Sequence, residues 1–251
     1  MARLPALIDA IAAHDARGRA TIFHIARRIR DGGLIKSEIR GAGAADMTYA
    51  DAATLLMAVC GDINPVGAVR AVQDLSTLVR IPDDEWGLTQ REDLTSFPWL
   101  REPESFAETL RLMIEYAPQL AAWETEYIEA WTDDDGMFDY SDFTFLRQTH
   151  EFEELTNGYR LGISKVIRVV FHSNGIAAEL HIGPIWRSLE ADVFHQYFAQ
   201  PDQTNGGRLV GIAPSNIDIQ IPVEVGVSTL LALHHAVNAK PRTRGPAKAR
   251  S

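Results

Sequence analysis

Residues 21–59, TIFHIARRIRDGGLIKSEIRGAGAADMTYADAATLLMAV, constrain this chain more than any other stretch. Ile22, Ile25, Ala26 and Ile29 recur at helical spacing and predict a helix with one apolar stripe, with Thr21 as its N-cap. The opposite side carries His24, Arg27, Arg28 and Arg30. Gly32-Gly33 ends it, since glycine takes the backbone conformation that terminates a helix. LIKSEIR alternates and reads as a short strand, and GAGAAD as a flexible loop. Thr48-Tyr-Ala-Asp51 then opens a second helix with a capping-box pattern, aspartate standing where glutamate is usual. That helix buries Ala52, Leu55, Leu56 and Val59. Before this block, Leu4, Leu7, Ile8 and Ile11 predict a helix over residues 4–14. After it, Asn64-Pro65 is expected to start a helix that Val66, Val69, Val72, Leu75 and Leu78 carry to about residue 80.

Arg27, Arg28, Arg30, Lys36 and Arg40 fall within that basic helix and the segment beside it. A cluster of this kind can neutralise several phosphates and release their counterions, and arginine also suits bidentate contact with guanine in the major groove. The plainer alternative is a solvated helix face, with Asp31, Glu38 and Asp46 near enough in sequence to pair with it.

The segment 26–59, ARRIRDGGLIKSEIRGAGAADMTYADAATLLMAV, resembles the second half of a MerR-type winged helix-turn-helix. In that family a helix ends in Gly-Leu-Ile or Gly-Leu-Leu, a basic wing follows, and the next helix begins at a capped Thr/Ser. The resemblance supplies no activity by itself; the expectation of duplex-DNA contact rests on the five basic residues above, which lie on the helix and its adjoining wing. The family's aromatic pair before Gly-Leu has no counterpart here, and no long coiled coil follows. The N-terminal part also resembles uncharacterised proteins encoded in phage-derived regions of bacterial genomes, a likeness that implies no particular activity.

Charge is spread unevenly. The chain carries −10 overall. Residues 1–82 hold ten Lys/Arg against eight Asp/Glu, residues 83–239 nine against twenty-six, and residues 240–251 five basic residues and no acid. An acidic middle repels phosphates, so nucleic-acid contact has to come from the first part or the tail. No run of about 18 apolar residues is present, so no membrane span is expected, and the N-terminus reads as a helix and not a leader. With one cysteine, Cys60, no internal disulfide can form, and a cytoplasmic setting is the expectation.

Residues 83–158 read as an acidic helical middle region containing Trp86 and Trp99, with a long helical pattern that Pro118 should kink or split. Within it, DGMFDYSDF looks like the second half of an EF-hand loop. Asp133, Asp135 and Asp142 would fall at its third, fifth and last ligand positions, but Trp131 falls at the first, where an oxygen is needed. The favoured reading is a turn that caps a helix. His150 and Glu154 form at most half of a zinc site. Residues 159–239 change period: strands near 163–172 and 176–182 flank Asn174-Gly175, a strong hairpin signal. A short helix is expected over 190–198, a strand over IDIQIPVEV and a helix over 227–239. His172, His181 and His195 converge only if a sheet brings them together.

The expected fold is α+β: a mainly helical, winged-helix-like DNA-binding domain over 1–82, the acidic middle over 83–158, an α+β domain with an antiparallel β-hairpin over 159–239, and a disordered basic tail over 240–251. The expected function is that of a phage- or prophage-type DNA-binding regulator with an acidic body for homodimerisation or partner binding, with no cofactor and no catalytic activity. Two rivals stand: a phage assembly or host-takeover protein that binds a basic partner through its acidic surface, and an enzyme whose site lies in the C-terminal sheet without a recognisable motif.

Overall fold

The computed structural model describes residues 3–36, 46–62, 64–80, 96–131, 167–172, 177–182, 193–199 and 223–239. The fold is mixed helix and antiparallel sheet. Its elements in chain order are α1 (Leu4–Ala12), α2 (Gly18–Asp31), α3 (Tyr49–Gly61), α4 (Ala68–Ser76), β1 (Leu78–Arg80), a 3-10 turn (Pro98–Leu100), α5 (Phe106–Glu115), α6 (Ala117–Trp131), β2 (Ile167–Phe171), β3 (Ala177–Ile182), β4 (Val193–Ala199), β5 (Val223–Gly226) and α7 (Val227–Asn238). Residues 37–45 of the expected LIKSEIR strand and GAGAAD loop, the aspartates 133, 135 and 142, the pair His150 and Glu154, the Asn174-Gly175 turn and the basic tail lie outside the described residues.

The local signals around α2 and α3 hold, with one shift. The capping box is made: Thr48 Oγ1 accepts from the Asp51 amide at 3.2 Å, and Asp51 Oδ2 accepts from the Thr48 amide at 2.8 Å. Helix α2 ends in a Schellman arrangement, with Leu34 N donating to Ile29 O and Gly33 N to Arg30 O. Gly33 supplies the positive φ of 75° that this ending requires. Thr21 is not the cap. The helix begins at Gly18, and Thr21 lies inside it with Oγ1 bonded to Arg17 O. What fixes this end is the Asp15/Arg17 pair: Asp15 accepts both the amide and the guanidinium of Arg17, whose Nη2 also donates to Val59 O of α3 at 2.7 Å.

Helix α3 is buried on all sides, and α1, α2, α4, α5 and α7 pack around it. One apolar cluster runs from Leu7 and Ile8 of α1 through Leu55 and Leu56 to Leu110, Phe171, Leu180 and Leu233. Helices of residues 1–82 and elements of the C-terminal part therefore share a core. The last helix is fastened to the first layer by polar contacts as well: Tyr49 stacks on His234 at 5.6 Å and accepts from Asn238 Nδ2 at 2.9 Å, and His234 Nδ1 donates to Ile114 O.

Among the described residues the sheet has five strands in the order β1-β4-β3-β2-β5, all neighbours antiparallel. Its register puts Val169 opposite Leu180 and Val225, and Leu180 opposite His195. Alternation then gives a core face with Phe171, Leu180 and Tyr197 and an outer face with Arg168, Glu179 and His181. Phe106 of α5 meets the core face, its ring 5.4 Å from both Phe171 and Tyr197.

One expected helix, and the end of another, are strands. The fourth helix stops at Ser76, where Thr77 bonds back to Asp74 O, and Leu78–Arg80 pairs with β4. Val193–Ala199 is a strand and not a helix. Its His195 and Tyr197 point to the core at a spacing of two, and the tertiary demand for a partner beside β3 overrides local preference. Likewise residues 34–36 of the expected LIKSEIR strand are bend and coil, and Asn64-Pro65 opens a turn, with α4 starting at Ala68. Pro118 does split its pattern: α5 ends at Glu115 and α6 begins at Ala117.

Helices α3 and α4 cross closely at Gly61, where a Cβ would stand 2.7 Å from Leu75 Cδ1 and 2.9 Å from Ala71 Cβ. Gly61→Ala should therefore lower unfolding free energy by about 1–3 kcal/mol through overpacking, read as a lower urea midpoint. A stability unchanged within error would show that the two helices separate freely.

Candidate functional site

Two polar arrangements need a functional account: the outer face of α2 and the polar residues of the sheet.

On α2 the apolar residues Ile22, Ile25, Ala26 and Ile29 are buried, which turns the other side of the helix to solvent. Arg27 and Arg28 are exposed there, Arg30 is partly exposed, and Lys36 is exposed just beyond the helix. Arg40 lies outside the described residues. Asp31 sits among these cations, 3.5 Å from Arg27 Nε and 3.4 Å from Arg30 Nη2. Both pairs are in water, where such contacts contribute about 0–1 kcal/mol, so an incoming anion can displace them. Arg28 and Lys36 have no ion pair among the described residues. The same face carries His24 and Phe23, whose rings meet edge-on at 6.0 Å; Phe23 is 46% exposed.

Of the three C-terminal histidines, the sheet gathers two. Glu179 Oε2 accepts from His181 Nε2 at 2.8 Å, and Glu179 Oε1 from His172 Nε2 at 3.3 Å. Burial alone would raise the Glu179 carboxyl, but the hydrogen bonds and charges of the two imidazoles outweigh it and hold it well below the usual carboxylate range. Next to them Arg168 pairs with Glu224 at 3.6 Å. Both oxygens of Glu179 are taken by these imidazoles, so the group keeps a carboxylate ionised on a half-covered sheet. Among the described residues no set of three or more His, Cys, Asp or Glu could hold a metal ion.

His195 lies on the opposite face, fully buried. Its Nδ1 is 3.3 Å from Tyr197 OH, which is 2.9 Å from Thr109 Oγ1 of α5. Burial, and secondarily the positive charge of Arg80, push this imidazole down to about 3. It is neutral in the folded protein at ordinary pH, part of the packing between α5 and the sheet. Sequence reasoning missed this role because it placed residues 190–198 in a helix. The β-branched and aromatic content of V-F-H-Q-Y-F-A was the available signal.

No family model, curated protein or solved structure matches the chain. No helix among the described residues is long and apolar enough to cross a membrane.

The His195 environment has a measurable consequence. Unfolded, the imidazole titrates near 6.5; folded, it titrates near 3. Below pH 6.5 the unfolded chain takes up the proton first, so this contribution is full above pH 6.5 and is lost as pH falls towards 3. Between pH 7 and pH 5 the loss comes to about 2 kcal/mol. Glu179 acts in a lower window: its depressed carboxyl stabilises the fold above its unfolded value and ceases to do so only in stronger acid. Urea unfolding at pH 7 and pH 5 should therefore show a smaller drop for His195→Gln than for wild type. Equal drops would mean that His195 is protonated in the folded state.

Proposed function

We propose that this protein is a DNA-binding regulator of the phage or prophage kind, which contacts nucleic-acid phosphates through the outer face of α2. In this reading α1, α2 and α3 form a winged-helix-like unit, and the acidic remainder pairs two copies or binds a partner. The observation that supports it most is the exposure of Arg27 and Arg28 on a helix whose other side is anchored in the core. A helix held rigidly by Ile22, Ile25 and Ile29 presents its guanidinium groups with little backbone entropy left to lose. Partly exposed Arg30 and exposed Lys36 extend the patch at its C-terminal end. Arg17 and Arg19 contribute less, because Asp15 and Asp9 already hold them.

A second reading follows from the charge balance of residues 83–239, where twenty-six acids face nine basic residues. There the protein is a non-enzymatic interaction factor, and its acidic surface receives a basic protein.

A fluorescence titration with labelled DNA separates the two. Wild type should bind at low salt and weaken as salt rises, with a slope of about −3 in log K against log salt for three or four neutralised phosphates. Arg27→Ala with Arg28→Ala should weaken binding at least roughly tenfold. Asp31→Asn should strengthen it by a few-fold, since it removes a carboxylate that competes with phosphate. Absence of binding at low salt would reject the DNA reading and leave the interaction factor.

A further inference from the structure

Phe23 lies on the exposed side of α2 at the N-terminal edge of its cationic patch, 46% exposed. Arg19 and Arg27 lie one helical turn to either side of it, about 6 Å along the axis, and His24 and Arg28 form the neighbouring row. We infer that this face binds single-stranded DNA, with an unpaired base stacked on Phe23 and the phosphates to one side of it held by Arg27 and Arg28. The inference rests on the DNA-binding reading above and names the form of DNA that the site takes.

Base geometry is the first reason. In a duplex the faces of the bases are covered by their neighbours, and a phenyl ring entering the major groove reaches little beyond a thymine methyl. An unpaired base offers its whole face, and aromatic platforms flanked by cations are the general means of holding one. The edge-on contact between Phe23 and His24 leaves a second aromatic edge beside that platform.

Charge is the second reason. Duplex DNA carries one negative charge per roughly 1.7 Å of axis, about twice the density of one strand. This chain has a net charge of −10, and Asp31 lies within ion-pair distance of two of the patch's guanidinium groups. So small a cationic patch matches the weaker field of a single strand, and stacking makes up for the few phosphates reached.

The test uses the full-length protein and two labelled probes at equal salt, an oligothymidylate single strand and an A·T-rich hairpin duplex. Wild type should bind the single strand more tightly. Phe23→Ala should weaken single-strand binding roughly tenfold and leave the duplex within about twofold, while Phe23→Trp should retain single-strand affinity. An unchanged melting temperature in Phe23→Ala shows that the fold is intact, as expected for a side chain on the solvent side of α2. If Phe23→Ala leaves both probes unaffected while Arg27→Ala with Arg28→Ala weakens both, base stacking is overturned and the DNA-binding reading survives. Equal losses on both probes also overturn it, and place Phe23 against a thymine methyl in a groove. If neither probe binds at low salt, both readings fall together.

Discussion

From Asp51 to Gly61, helix α3 buries every residue but Thr54. A helix that is apolar all round needs neighbours on every side, and α1, α2, α4, α5 and α7 supply them. Each leucine or valine so enclosed contributes about 1.5–3 kcal/mol of transfer free energy, more than capping or surface pairing can supply. The one charged group in this span, Asp51, is held in the capping box with Thr48, which meets the requirement that a buried carboxylate be hydrogen-bonded. Because helices from both ends of the chain are needed to enclose α3, the basic helix α2 is fixed relative to the sheet as well as to its sequence neighbours.

That enclosure decides which arginines are structural. Arg17 is held by the Asp15 carboxylate and the Val59 carbonyl, and so fastens α2 to α3. Burial tends to raise the Asp15 carboxyl, but the bonds to Arg17 bring it below its ordinary value. Arg111 is similarly committed to Glu108 and Glu115 on α5. Arg28 has the same chemistry on a face that nothing described covers. Much of the acid in the described part is likewise spent internally: Glu179 on two histidines, Asp9 on Arg19 and Glu224 on Arg168. Formal charge is thus a poor guide to what each surface offers a partner.

Local chemistry was legible in the sequence where a few adjacent residues settle it. The Thr48–Asp51 box, the Gly32-Gly33 ending and the break at Pro118 all depend on neighbours within a turn. Both strands flanking Asn174-Gly175 were legible for the same reason. Two misreadings came where distant partners decide, while those at Thr21, residues 34–36 and Asn64-Pro65 were local. Leu78–Arg80 carries on a helical pattern yet pairs with Tyr197–Ala199, more than a hundred residues later, and Val193–Ala199 becomes a strand because β3 needs a neighbour. Among candidate site residues, the exposure of Arg27 and Arg28 followed from the isoleucine stripe opposite them. The meeting of His172 and His181 on Glu179 depends on strand register, which no single stretch of sequence reveals. Phe23 went unremarked although the same stripe leaves it off the buried side of α2.

The clasp of Tyr49 on His234 and Asn238, together with the packing of α1 on α7, sets an order in time. During synthesis α1 to α4 emerge long before residues 227–238, so the apolar sides of α1 and α3 that α7 will cover stay wet until the far helix is made. Contacts of such long sequence separation form slowly, and greasy surface left open in the meantime invites association with other chains. The nascent protein therefore carries that apolar surface uncovered until its final described helix closes over the first.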